Sequence, residues 1–233
     1  MRYGTIEPIK QIGEIAKKHN IYFHTDAVQA IGNVRIDVKD MNIDLLSMSG
    51  HKFYGPKGIG VLYVRKGVEF WKIQNGGHQE RNKRAGTENI AGIVGIGKAI
   101  ELAYKDFDKK INYLKELRDY YIKKVEENIV DIKINGDMNK RLVGNINISF
   151  KDVDGGELLL KLDEKGICVS TGSACNSGSQ GASHVLTAIG LEPCYSNGSV
   201  RVSLGKDNKK EEIDYFVDVL KESINELRKN KSI

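Results

Sequence analysis

The sequence predicts an α/β protein whose second half turns to α+β, with the boundary near Asp106–Lys110. Three observations lead there. A helix-period stretch is followed by short β-type runs separated by long connections, which reads as α/β with a buried sheet. Past residue 107 the pattern changes to amphipathic helices between short alternating strands. The breaks between them come from 25 glycines, clustered in particular loops, and only 3 prolines. The expected domains are therefore residues 1–107 and 108–233.

The first helix is expected over Pro8–Lys18, with Pro8 at a first helical position and Ile9, Ile12 and Ile15 as one apolar stripe. Lys17 and Lys18 suit its end, where carbonyl dipoles favour cations. Strands are expected at Ile21–His24, Leu45–Ser49 and Gly60–Val64. A glycine-rich stretch, Gly76-Gly77-His78-Gln79-Glu80, leads through Arg84–Asn89 to a helix over Ile90–Asp106. Gly92, Gly95 and Gly97 should let this helix pack closely. The next helix carries Ile111, Leu114, Leu117, Tyr121 and Val125 on one stripe. Strand Ile146–Phe150, helix Glu157–Lys165, strand Cys168–Ser170, a short helix near His184–Ile189, strand Val200–Leu204 and helix Lys210–Arg228 complete the chain.

The 233 residues are 40% hydrophobic and 29% charged, which excludes disordered and fibrous classes. No apolar run approaches the ~20 residues of a membrane span. The start, Met1 to Thr5, lacks a basic-then-apolar secretion signal. The formal charge of +5 is spread out except in the lysine-rich last helix, so a solvated basic surface is expected rather than a nucleic-acid site. Three cysteines without a signal peptide point to reduced thiols in a cytosol. None has zinc-ligand spacing, so no metal is expected.

Two strand ends carry chemistry. Asp26 directly follows a predicted strand, and carboxyl ends of strands are where ligands bind in open α/β sheets. Lys52 follows the next strand at the equivalent end, in Ser49-Gly50-His51-Lys52. A lysine held there among polar groups can form a Schiff base with pyridoxal phosphate (PLP). Asp26 can pair the cofactor's ring nitrogen, Gln29 its hydroxyl, and Ser49 and His51 its phosphate. The plainer alternative makes Asp26 a helix cap and Lys52 a surface lysine, and both readings stand at this point.

Cys175 lies among small polar residues in Ser170–Ser179, so it is expected to be exposed, as a reactive thiol must be; a chemically idle loop cysteine fits equally. Cys168, between Ile167 and Val169, is expected to be buried, and Cys194 to be structural or incidental. Arg201 alternates with Val200 and Val202 and should face away from the apolar side. There it can clamp a carboxylate through two parallel hydrogen bonds or simply meet solvent. His19, His24 and His184 are given no chemical role.

Together these stretches resemble a cysteine desulfurase of the class V aminotransferase family. The resemblance rests on His24-Thr25-Asp26-Ala27-Val28-Gln29-Ala30, Ser49–Gly58, Arg84-Ala85-Gly86-Thr87-Glu88-Asn89, Gly172-Ser173-Ala174-Cys175 and Val200–Gly205. They run in family order along nearly the whole chain. The cysteine loop resembles the subgroup with a long loop that commonly feeds iron–sulfur assembly.

The resemblance implies the remainder of a fold type I PLP-transferase large domain, followed by a smaller α+β domain. Lys52 would carry PLP, Asp26 would pair its ring nitrogen and Gln29 its ring oxygen. Ser49 and His51 would hold its phosphate, and Thr87 would reach the phosphate of a partner subunit in a homodimer. Arg201 would bind the carboxylate of L-cysteine. Cys175 would take the sulfur as a persulfide, L-alanine would leave, and an iron–sulfur scaffold or other acceptor would receive the sulfur. One departure is large. Family members are longer and read Asn-Asn-Glu-Ile-Gly-Thr where this chain has Met1-Arg2-Tyr3-Gly4-Thr5. The expectation is thus a C-terminal portion, truncated or split, lacking the family's ring-stacking histidine, part of its phosphate cradle and an asparagine near the substrate, and inactive alone. The rival readings are a selenocysteine lyase or other class V enzyme, and a non-enzymatic degenerate or split-gene fragment.

Overall fold

The computed structural model describes residues 3–171 and 184–231. They form two compact units, one of residues 7–107 and one of residues 3–6 with 108–171 and 184–231.

In the first unit, α1 (Ile9–Lys18) begins one residue after Pro8, which precedes the helix. Of the stripe Ile9-Ile12-Ile15, only Ile9 packs against the core; Ile12 and Ile15 are exposed, and Gly13 is the helix's one buried residue. A Cβ on Gly13 would stand 2.0 Å from the Met41 carbonyl oxygen, so the helix lies against that backbone through its glycine. The sheet has the order β1 (His24–Asp26), β2 (Leu45–Ser49), β3 (Gly60–Val64). β1 and β2 are parallel, and β2 and β3 antiparallel. β1 lies later than the sequence suggested because Ile21 bonds back to the Ala16 carbonyl, closing α1. The sheet is also less covered than expected. His24 and Asp26 of β1 and the first three residues of β3 are exposed.

Between β2 and β3 a 3-10 turn (Gly50–Phe53) ends in Tyr54, which adopts a left-handed conformation. Phe53 points into a core with Ala27, Ile31, Ile43, Leu46, Ile96 and Ala99. Thus the turn that carries His51 and Lys52 is anchored by the residue after them. α2 (Gln79–Asn82) is one turn, with positive φ at Glu80, Arg81 and Asn82. α3 (Ile90–Lys105) is capped by Asn89, whose side chain accepts from the Gly92 amide at 3.0 Å. Gly95 lets α3 approach the Pro56 ring, whereas Gly97 meets nothing.

The second unit is built on an antiparallel sheet of order β4 (Ile132–Ile134), β5 (Asn145–Phe150), β6 (Ser199–Ser203). One face carries Ile146, Ile148, Phe150, Val200 and Val202 into a core with α4 (Phe107–Asn128), α5 (Gly155–Glu164) and α8 (Lys210–Lys231). The expected α4 stripe is buried at Leu114, Leu117, Tyr121 and Val125 and half-buried at Ile111. Asp154 caps α5 by accepting from the amides of Gly156 and Glu157. α6 (His184–Ala188) and α7 (Pro193–Ser196) are single turns.

Residues 3–6 belong with this second unit, although they come first in the chain. Their backbone is bound there: the Ile6 amide donates to the Lys140 carbonyl, and the Leu142 amide to the Gly4 carbonyl. The buried Arg141 guanidinium also donates to the Tyr3 carbonyl at 2.8 Å.

Candidate functional site

The first group of residues sits at one edge of the first unit's sheet. In the parallel pair, Asp26 stands across from Ser47, so β1 and β2 end side by side. Asp26 is the last residue of β1, and Ser49 the last of β2. The two strands therefore deliver Asp26 and the Ser49–Lys52 turn to the same carboxyl edge, as expected from sequence. Asp26 Oδ1 accepts from the Val28 amide at 2.9 Å, which fixes the carboxylate in an Asx turn. No other bond engages it among the described residues, so Oδ2 stays open. Asp26 is thus no helix cap.

Ser49 Oγ lies 2.9 Å from His51 Nδ1, making a hydroxyl–imidazole pair immediately before Lys52. Lys52 is exposed, and its Nζ has no hydrogen-bond or ion-pair partner among the described residues. Gln29 is exposed too, three residues beyond Asp26. Thr87 is exposed in the segment between α2 and α3, next to Gly86 with φ of 95°. His24, given no role from sequence, bonds Ser47 Oγ through Nε2 at 2.8 Å. That contact ties the start of β1 to the middle of β2, and only the register shows it.

The second group lies on the polar face of the second unit's sheet. Arg201 is paired in register with Asn147. Its backbone is held from the other side by Ser170: the Arg201 amide donates to the Ser170 carbonyl at 2.6 Å, and the Ser170 amide returns a bond at 3.2 Å. This isolated bridge is all that forms of the strand expected at Cys168–Ser170. Val200 and Val202 face the core as predicted, which turns Arg201 to the opposite face. Among the described residues, Arg201 Nε is buried without a hydrogen-bond partner. A buried guanidinium N–H without an acceptor is costly unless a ligand or water supplies one.

Cys168 corrects an expectation. It is exposed, because Ile167 and Val169 on either side pack on the core and alternation turns the residue between them outward. It lines a cleft of about 470 Å³ with Val202, Leu204, Ile213 and Phe216. Cys194 is a free, half-buried thiol. Cys175 lies outside the described residues.

An amine without a partner, a carboxylate with one open oxygen and a hydroxyl–imidazole pair at one sheet edge suit PLP: an imine-forming group, a partner for the ring nitrogen and phosphate donors. The model of the Aminotransferase class-V family matches residues 2–216. The chain belongs to that family. Members of this class are PLP-dependent enzymes.

Among similar curated proteins, "Cysteine desulfurase IscS" of Dictyoglomus turgidum is 54% identical over 225 residues, covering 97% of this chain and 57% of the relative. "Cysteine desulfurase IscS" of Clostridium botulinum is 57% identical over 227 residues, with the same two shares. Of solved structures, a NifS-like protein superposes with a TM-score of 0.86 at 34% identity, over 96% of this chain and 58% of the other. A NifS-like protein from Rickettsia africae gives 0.87 at 30% identity, over 96% and 59%. The chain thus spans somewhat more than half the length of the family members it matches, and shares the fold of the corresponding portion of fold type I PLP enzymes. No helix among the described residues is long and apolar enough to cross a membrane.

Proposed function

We propose that this chain is the portion of a PLP-dependent cysteine desulfurase that carries the cofactor lysine, the substrate-carboxylate arginine and the sulfur-accepting cysteine. The observation that carries this reading is the delivery of Asp26 and the Ser49–Lys52 turn to one sheet edge by two parallel strands. PLP, when bound, supplies an electron sink that makes loss of the Cα proton and C–S cleavage feasible.

This chain's residues do the rest. Lys52 Nζ holds the cofactor covalently. Asp26 keeps the ring nitrogen protonated through its open oxygen, and Gln29 donates to the ring oxygen. Ser49 and His51 bind the phosphate, and Thr87 reaches the phosphate bound by a second subunit. Arg201 pairs the carboxylate of L-cysteine. The Cys175 thiolate would attack the substrate sulfur, the C–S bonding pair would pass to the substrate's carbon side, where the β-carbon takes a proton, and L-alanine would leave with the sulfur held on Cys175 as a persulfide. An iron–sulfur scaffold or another acceptor protein would take that sulfur. The thiols imply a reducing cytosol as the setting, and neither a nucleic acid nor a membrane enters the reaction.

Support for L-cysteine as substrate comes from the IscS relatives and from the solved structure titled "SspA in complex with cysteine", which is 38% identical with a TM-score of 0.68. The testing experiment adds PLP and L-cysteine to this chain together with the preceding portion of an IscS relative, and measures alanine and the state of each cysteine. Alanine formation with persulfide on Cys175, lost in Lys52→Ala, is the expected result. Persulfide on Cys168 or Cys194 would overturn the assignment of the acceptor. Turnover of L-selenocysteine with none of L-cysteine would make the chain part of a selenocysteine lyase.

A further inference from the structure

The edge of the first unit's sheet opposite Asp26 and Lys52 carries a cleft of about 590 Å³. It lies where β1 and β2 begin and the antiparallel β3 ends. Four cations line it from three segments: Lys17 at the end of α1, Lys39 in the connection before β2, and Arg65 with Lys66 after β3. Each segment is fixed by its own hydrogen bonds. The Ile21 amide donates to the Ala16 carbonyl, those of Lys39 and Asp40 to Asp37 Oδ1, and that of Arg65 to the Asp44 carbonyl. Asp44 is the one carboxylate among these lining residues, and its charge is already engaged. It is buried, pairs Arg65 Nε through Oδ1 and accepts from the Phe23 amide at 2.9 Å through Oδ2. Lys17, Lys39 and Lys66 are exposed and have no ion-pair partner among the described residues. Tyr22 and Tyr63 line the same cleft, Tyr63 seated against the core and Tyr22 exposed.

We propose that this cleft binds an organic phosphate of the nucleoside polyphosphate class, at a site separate from that of PLP. Four positive charges against the one negative charge of Asp44 leave an excess of three. A cleft lined by one sign of charge focuses the field and concentrates anions of the other sign. Lysines meet phosphate oxygens as point charges and arginine as a planar fork, so the two types together suit a chain of phosphates. Asp44 positions Arg65: a buried carboxylate holding an exposed arginine reduces the freedom that side chain loses when a ligand arrives. The volume lies within the roughly 300–1,000 Å³ of small-molecule sites and exceeds what inorganic phosphate needs. The two tyrosine rings offer flat apolar surface on which a base can stack. Concavity and rings together favour a phosphate ester with an aromatic end over the surface of an acidic protein. The five residues of β2 separate this edge from Lys52, so a ligand here leaves the cofactor edge clear.

The test is equilibrium dialysis of the 233-residue chain against ATP, tripolyphosphate and adenosine, with hydrogen exchange read by mass spectrometry to locate the ligand. ATP should bind most tightly, tripolyphosphate more weakly and adenosine least, and ATP affinity should fall as salt is added. ATP should slow exchange around Tyr22, Lys39 and Arg65, and not around Asp26 or Lys52. The double variant Lys17→Gln, Lys66→Gln should weaken ATP binding roughly tenfold or more, as loss of charged contacts does. Lys229→Gln, exposed on α8 of the other unit, should leave it unchanged. Tyr22→Ala should weaken ATP at least roughly fivefold and leave tripolyphosphate unaffected. No ATP binding at low salt, equal affinity for ATP and tripolyphosphate, protection away from these three segments, or unchanged affinity in the folded double variant would each overturn the proposal. Binding of polyglutamate but not of ATP would overturn it too, and make the cleft a docking face for an acidic protein. Wild-type dialysis and the exchange map decide the matter if the double variant does not fold.

Discussion

Asp26 stands across from Ser47 in the parallel pair β1–β2, while His24 at the start of the same short strand bonds that serine's hydroxyl. Two residues of β1 are thereby locked to one residue of β2, and the carboxylate is held beside the turn that bears Lys52. Asp26→Asn keeps an acceptor for the Val28 amide and removes the charge. A charged hydrogen bond contributes about 1.5–3 kcal/mol, so the variant should bind PLP at least roughly tenfold more weakly without loss of fold. Fluorescence titration with PLP, alongside far-ultraviolet circular dichroism, measures both. Equal PLP affinity would show that Asp26 does not face the ring nitrogen.

The second unit makes a prediction about pH. Asp214 of α8 accepts from the Tyr120 hydroxyl of α4 at 2.7 Å and meets Lys124 at 2.9 Å. The Tyr120 bond first, and Lys124 second, hold the Asp214 carboxyl below its ordinary value. A carboxyl with a lowered folded value contributes stability above its unfolded pKa, near 4, and loses it as the pH falls through the folded value. The α4–α8 contact should therefore weaken in acid. Thermal midpoints from pH 7 down to pH 2 should converge for the wild type and Asp214→Asn at the acid end and separate above about pH 4. Parallel curves over the whole range would contradict this.

Core packing gives a prediction independent of any ligand. Leu220 of α8 is fully buried, in the cluster where Tyr121 and Phe216 stack at 5.4 Å. Leu220→Ala should cost about 2–5 kcal/mol of stability in urea unfolding. A loss under about 1 kcal/mol would mean that the site collapses around the gap.

Much of this was legible in the sequence, and the failures have physical causes. β2 and β3 were found at their observed limits because their apolar runs end in glycine or a polar turn. The α4 stripe is legible because Leu117, Tyr121 and Val125, at helical spacing, all enter one core. The buried face of α1 is only partly legible: Ile9 packs on the core, but the closest approach is made through Gly13, which has no hydrophobicity to detect, while Ile12 and Ile15 face out. β4 was missed, since three residues between Asp131 with positive φ and Asn135 carry too little pattern. Asp26, Lys52 and Arg201 were visible as residue types at strand ends or alternating positions. The buried hydrogen bonds of Asn147 are not legible, because its partners Asn135 and Ser199 lie 12 and 52 residues away.

The first unit leaves apolar side chains uncovered. Trp71 is 95% and Ile73 100% exposed, and Ile90 and Val94 stand out from α3. Exposed patches of this kind mark association surfaces. The 233-residue chain alone should bind a hydrophobic dye, associate at micromolar concentration and release no alanine from L-cysteine with added PLP. Alanine release by the chain alone, abolished by Cys175→Ser, would show that the active site is smaller than this account holds.

Chemical mapping of the cofactor-bearing lysine tests the role of Lys52. The chain is incubated with one equivalent of PLP, reduced with borohydride, digested and read by mass spectrometry. The account predicts phosphopyridoxyl label on Lys52, and loss of both the label and the bound-PLP absorbance in Lys52→Ala. Label concentrated on another lysine, or undiminished in Lys52→Ala, would contradict it.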